Sequence, residues 1–202
     1  LGPLRKMPLT FLSLFGCTQL TDLGPLEGLK LASLDLTNTR VQDLSPLRGM
    51  PLTSLDLNGC AQLRDLSPIR DIELTQLDLA NCKDLRDLSP LSKMKLTTLS
   101  LANCGYIQDL SPLKEMSLTS LTLDNCAQVR DLTPVAKMPL ATLSLTGCKG
   151  VTDVTPLQDL KLTSIRLPTQ KVEGLDVLRK MSTLKTINGQ PADQYWMKLD
   201  TP

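Results

Sequence analysis

The sequence predicts an α/β solenoid, with a curved parallel β-sheet on its concave face and short 3₁₀ or helical turns and loops on its convex face. Three observations predict it. The segment LSPLRGMPLTSLDLNGCAQLRD at 44–65 is followed by LSPIRDIELTQLDLANCKDLRD at 66–87, and units at 88–109, 110–131 and 132–153 keep the same 22-residue register. Each unit reads L-x-x-L-x-L-x-x-C-x-x-L, a period that signals stacked supersecondary units rather than one globular core. A Ser-Pro or Thr-Pro pair recurs at one place in each unit, from Ser45-Pro46 to Thr155-Pro156.

Within the reference unit, Leu52, Leu55 and Leu57 mark a short strand. Strands of successive units stack about 4.8 Å apart, so equivalent side chains form ladders along the solenoid. Leu44, Leu47, Met50 and Leu63 line the same interior from the other side. A buried leucine contributes about 1.5–3 kcal/mol, but one unit cannot cover its own apolar face and must stack to be stable. The Ser-Pro pair starts a short turn, because serine is a good N-cap and proline fits the first helical position. Only six or seven residues separate this point from the next strand, which leaves no room for a long helix. The preceding Asp65, Asp87, Asp109 and Asp131 either help to cap the turn or form a solvated row.

Cys60, Cys82, Cys104, Cys126 and Cys148 are spaced 22 residues apart at one slot, which Cys17 fills in the first unit. One cysteine per repeat is the pattern of a column of buried free thiols acting as small apolar residues, and close pairs suited to zinc are missing. The segments 36–44 and 167–175 are one residue short, and Thr39 and Gln170 take the cysteine slot there. Residues 1–189 therefore form an array of about eight units of 21–22 residues plus a degenerate last one. Beyond the Asn188-Gly189 turn pair, Ala192, Tyr195, Trp196 and Leu199 make a stripe at helical spacing, so 190–202 is assigned as a C-terminal cap. LGPLRKM at 1–7 repeats LSPLRGM at 44–50, so the chain is expected to be part of a longer protein.

These units resemble leucine-rich repeats of the short bacterial type, the 22-residue class of the internalins. DLSPL followed by GMPLTSLDL, and the ending LKTINGQPADQYW, are similar to repeat arrays of planctomycete-type bacterial proteins, many of them serine/threonine kinases. The resemblance covers essentially the whole chain and implies a leucine-rich repeat solenoid that binds protein. The chain itself has no kinase motif. It departs from the commoner pattern in placing cysteine where asparagine usually stands.

Composition narrows the function. The net charge is +1, from 22 basic and 21 acidic residues, which gives no footprint for nucleic acid or an anionic membrane. Histidine is absent, and the aromatics are one Trp, two Tyr and two Phe. General-base catalysis and base stacking are thereby disfavoured. No cofactor is implied. Unpaired thiols point to a reducing cytoplasm.

Function should reside on the outward strand positions, which in the reference unit are Ser54, Asp56 and Asn58. Most of the corresponding positions are small and polar. Asp35, Asp56 and Asp78 form an acidic ladder beside Phe11 and Phe15, while Asp124 and Arg166 are the remaining charges on the face. The leading expectation is a non-catalytic module binding a partner protein or peptide, a basic one being favoured by the aspartates. A solvated, solubilising face is the plainer reading. Calcium fits poorly, with one carboxylate per strand. A self-associating scaffold joined through the uncapped N-terminal repeat is the alternative. A cysteine-dependent enzyme would need an exposed thiolate with a base beside it.

Overall fold

A computed structural model describes residues 2–201, so Leu1 and Pro202, the outer limits of the expected array and cap, lie outside the described residues. The strands run in chain order through a single ten-stranded sheet. They are β1 (Phe11–Ser13), β2 (Ser33–Asp35), β3 (Ser54–Asp56), β4 (Gln76–Asp78), β5 (Thr98–Ser100), β6 (Ser120–Thr122), β7 (Thr142–Ser144), β8 (Ser164–Arg166), β9 (Thr186–Ile187) and β10 (Gln190–Pro191). All neighbours pair in parallel except β10, which turns back antiparallel on β9. The register pairs Leu34, Leu55, Leu77, Leu99, Leu121 and Leu143 in one column. Each of them is at most 2% exposed, and the core is one continuous cluster from Leu23 to Ile187.

The Ser-Pro pairs open single 3₁₀ turns, as at Ser45–Leu47 and Ser111–Leu113. Serine is not their cap. The residue before the turn is a leucine, and the side chain that closes the turn belongs to the aspartate one position earlier. Asp109 Oδ1 accepts the Ser111 N–H and Oδ2 accepts the Ser111 hydroxyl, both at 2.8 Å. Asp65, Asp87, Asp131 and Asp153 repeat this two-bond pattern on the serine or threonine two residues later. Aspartate reaches its own backbone two residues on, which is why the sequence places it there rather than glutamate.

The thiol column exists from Cys60 to Cys148 and is fully buried. Each thiol donates to a leucine carbonyl of the preceding unit, as Cys104 Sγ does to Leu79 O at 3.1 Å and Cys126 Sγ to Leu101 O at 3.0 Å. In the shortened units Thr39 donates to Leu36 O of its own unit at 2.8 Å, and Gln170 donates to Cys148 O and Val151 O of the unit before. Cys17 departs from the expected column and is exposed, because nothing in the described residues packs beyond β1. Burial pushes the Cys104 thiol up to about 12 and the Cys148 thiol up to about 11. It raises Cys60, Cys82 and Cys126 as well.

The asparagine ladder survives one position earlier. Asn81, Asn103 and Asn125 adopt positive φ near 60° and pass amide hydrogen bonds of 2.8–3.0 Å from unit to unit, ending on Asn58. Gly59 and Gly147 take the same left-handed slot at φ of 79° and 71°, and the asparagine oxygen of the unit before lies where a Cβ would stand. A second ladder runs on the other flank of the sheet: Thr75, Thr97 and Thr119 donate to the carbonyls of Thr53, Thr75 and Thr97, each at 3.1 Å.

In the degenerate last unit a short helix α1 (Leu175–Arg179) replaces the 3₁₀ turn. The Asn188-Gly189 pair, with φ of 52° and 78°, makes the tight turn between β9 and β10. Helix α2 (Ala192–Asp200) then packs Ala192, Tyr195 and Trp196 on the core. Arg179 ties it down, with its guanidinium 4.9 Å from the Trp196 ring and 2.7 Å from Asp200.

Two outcomes follow. A disulfide-exchange thiol reagent titrates one thiol per native chain, Cys17, and all six after unfolding in guanidinium. Fast labelling of any second native thiol would contradict the burial of the column. The turn aspartates set the acid response. Hydrogen bonds hold Asp43, Asp65, Asp109 and Asp153 below the usual carboxylate range, the amide being the larger cause at the last three and the hydroxyl at Asp43. A lowered folded pKa gives stability that is present above the unfolded value of about 3.9 and lost as pH falls through the folded one. Combined Asp65→Ala, Asp109→Ala and Asp153→Ala substitution therefore lowers the melting temperature at pH 7, and the gap to the parent narrows toward pH 2.

Candidate binding face

The strands present alternate residues outward, and the register stacks them in columns. Phe11 stands beside Ser33 and Ser13 beside Asp35 at the first step, and Asp35, Asp56 and Asp78 occupy one column on β2, β3 and β4. Phe11 and Phe15 are 61% and 65% exposed, and they flank the start of that column. Four spacings of about 4.8 Å separate β4 from Arg166 on β8, which is also exposed.

The aspartates are half-buried, for a structural reason absent from the pattern. Oδ1 of each accepts the amide N–H two residues on: Asp35 from Thr37 at 2.9 Å, Asp56 from Asn58 at 2.9 Å and Asp78 from Ala80 at 2.7 Å. These amides follow the last ladder residue of the strand and would otherwise be unpaired. Asp35 Oδ2 accepts the Ser13 hydroxyl at 2.7 Å. Asp124 does the same work from the neighbouring strand, accepting the Thr146 N–H at 3.0 Å and the Ser144 hydroxyl.

Electrostatics divides the ladder. At Asp35, burial raises the carboxyl pKa, but the Thr37 amide and the Ser13 hydroxyl outweigh it and hold it below the usual range. At Asp78, burial is the larger effect, and the charge on Asp56 adds to it, so the carboxyl is raised. Among the described residues no three His, Cys, Asp or Glu side chains are grouped to hold a metal ion.

A concavity of different character lies at the other end of the face. A cleft of about 550 Å³ is lined by Arg166, Lys171, Asn188, Tyr195 and Leu199, among others. Of these, the sequence singled out Arg166 as a face residue and Tyr195 and Leu199 as cap residues. Lys171 was missed and Asn188 stood out only as a turn residue, since nothing in the repeat pattern shows that they share a cleft with the cap. Leu199, expected on the buried stripe, is instead 51% exposed and lines the cleft.

A raised carboxyl pKa means that ionised Asp78 costs stability, the favourable contribution being lost as pH rises through the folded value. Asp78→Asn keeps the acceptor for Ala80 and removes the charge, so at pH 7 its melting temperature equals or exceeds the parent's. Asp78→Ala leaves the amide unpaired and costs about 1–3 kcal/mol. Equal losses in the two variants would show that the charge itself is needed.

No protein-family model matches the chain, and no curated protein matches it either. Among solved structures it is similar to an internalin C2 from Listeria monocytogenes, with 25% identity and a TM-score of 0.70, over 88% of this chain and 79% of that one. It is also similar to an internalin (inlF) from the same organism, with 26% identity and a TM-score of 0.68, over 89% of this chain and 60% of that one. No helix among the described residues is long and apolar enough to cross a membrane. With its serial parallel strands, 3₁₀ turns and open sheet, the chain folds as a leucine-rich repeat solenoid similar to these internalins.

Proposed function

We propose that the chain is a non-catalytic protein-interaction module whose concave face takes a basic segment of a partner protein or peptide at Phe11, Phe15, Asp35, Asp56 and Asp78. The observation that carries this reading is the exposure of two phenylalanines on a face otherwise built of small polar residues. Exposed aromatics of this kind act as binding anchors, and the neighbouring carboxylates supply charge for a cationic partner. The internalin-like class supports a protein partner in general. Asp124, already engaged with Ser144 and Thr146, is the least available of the acids. Catalysis by a buried cysteine is disfavoured because burial raises these thiols out of the thiolate range, and free thiols support a reducing, cytoplasmic setting.

A second reading, self-association through β1, is favoured by a separate observation. Leu12 and Leu14 are only half-buried there, and Met7 is 47% exposed. Light scattering over a concentration series separates it from a monomeric module.

The test uses a labelled peptide alternating lysine with leucine. Combined Asp35→Asn, Asp56→Asn and Asp78→Asn substitution keeps all three amide acceptors, so the fold survives. At about 0.2–1 kcal/mol per exposed pair, the three carboxylates together account for an affinity loss of about tenfold and a flatter salt dependence. Phe11→Ala with Phe15→Ala weakens binding independently of salt. Unchanged affinity and salt slope in the triple variant would sink the proposal.

A further inference from the structure

We propose that the cleft between β8 and α2 is a binding site for an acidic peptide segment that also carries an apolar side chain. The site goes beyond the acid-and-phenylalanine patch and does not depend on it. Two cations line it, Arg166 and Lys171, and neither forms a salt bridge among the described residues. No aspartate or glutamate is part of its lining, in a chain that carries 21 acids. Two cations in one cleft with no counter-charge in its lining leave a local excess that a carboxylate neutralises.

The polar groups that remain are donors. Asn188 Oδ1 is spent on the Leu167 N–H at 2.7 Å, which leaves its amide NH₂ to donate. Gln170 Nε2 is committed to two backbone carbonyls and holds the short segment rigid. The Tyr195 phenol makes no hydrogen bond among the described residues, and burial raises its pKa, so it stays neutral and able to donate. A guanidinium, an ammonium, an amide and a phenol around one opening select an acceptor-rich anion.

A simple anion would leave the other wall unused. Leu175 and Leu199 line the cleft, and Leu199 is half-exposed at the free side of α2. Covering that leucine needs an apolar group within a few ångströms of the carboxylate, as in a glutamate–leucine or aspartate–leucine segment. The volume of about 550 Å³ falls within the range of sites that hold a few side chains. A nucleic acid fits less well, since two cations give little phosphate neutralisation and the apolar wall has no base-stacking role.

Fluorescence anisotropy with the whole chain tests this, using a labelled peptide alternating glutamate with leucine and a control with glutamine in place of glutamate. The parent is expected to prefer the glutamate peptide at least tenfold. Arg166→Glu with Lys171→Glu, both at surface positions and checked by thermal melting, abolishes that preference. Leu199→Ser weakens both peptides several-fold. The Asp35→Asn, Asp56→Asn, Asp78→Asn variant leaves affinity for the glutamate peptide unchanged, so failure here and failure of the basic-segment reading are told apart. Equal affinity for the two peptides, or full binding by the charge-reversed variant, overturns the proposal. So does displacement of the peptide by acetate, inorganic phosphate or a single-stranded oligonucleotide at equal charge concentration.

Discussion

Everything in this molecule depends on the contact between one unit and the next. A unit of 22 residues holds a strand of three, one 3₁₀ turn and a strip of leucines that it cannot cover alone. Its strand amides are equally dependent, since Leu36 donates to Asp56 O, Leu57 to Asp78 O and Leu79 to Ser100 O in the following unit. Apolar area and backbone polarity are thus satisfied in the same direction by the same neighbour. Cooperativity follows, because losing one interface uncovers leucines and orphans amides together.

The polar ladders refine that contact rather than create it. Thiols, asparagine amides and threonine hydroxyls each pass one hydrogen bond per step, at three different depths of the sheet. Among them the thiol is the weakest donor but the most apolar group, which suits a slot surrounded by leucines. Thr39 and Gln170 show that the slot holds a donor rather than sulfur as such: Thr39 donates to Leu36 O within its own unit, and Gln170 donates back to Cys148 O of the unit before.

The sequence reading recovered the fold almost completely, because period alone decides which side chains face inward. Leu55, Leu77 and Leu99 occupy the expected column, and the outward columns fall in the expected register. What it left open or missed was the local bonding of polar residues. The pattern leaves the turn aspartates as either caps or a solvated row and offers serine as the cap; Asp109 closes the turn, since two carboxylate oxygens can hold both the amide and the hydroxyl of Ser111. Nor does a pattern reveal that Asp35, Asp56 and Asp78 have a structural duty on the strand. The cleft at Arg166 was illegible for another reason. Its far wall comes from a helix more than twenty residues later, and repetition carries no information about elements that do not repeat.

That last point bears on where specificity can sit. Interior units present nearly the same short polar side chains, and their aspartates are partly consumed by the backbone. Such a surface has shape but little to distinguish one partner from another. Only where periodicity ends do the side chains escape those duties. Phe11 stands on the first strand and Phe15 just beyond its end, and Arg166, Lys171 and Leu199 gather where α2 folds back beside the last full one. The middle of the sheet then sets the distance between two chemically opposite ends, acidic and aromatic at one and basic at the other. Inserting or deleting one 22-residue unit between β5 and β7 would change that distance by about 4.8 Å without altering either end. A partner that engages both ends would feel the change, whereas a partner confined to one end would not.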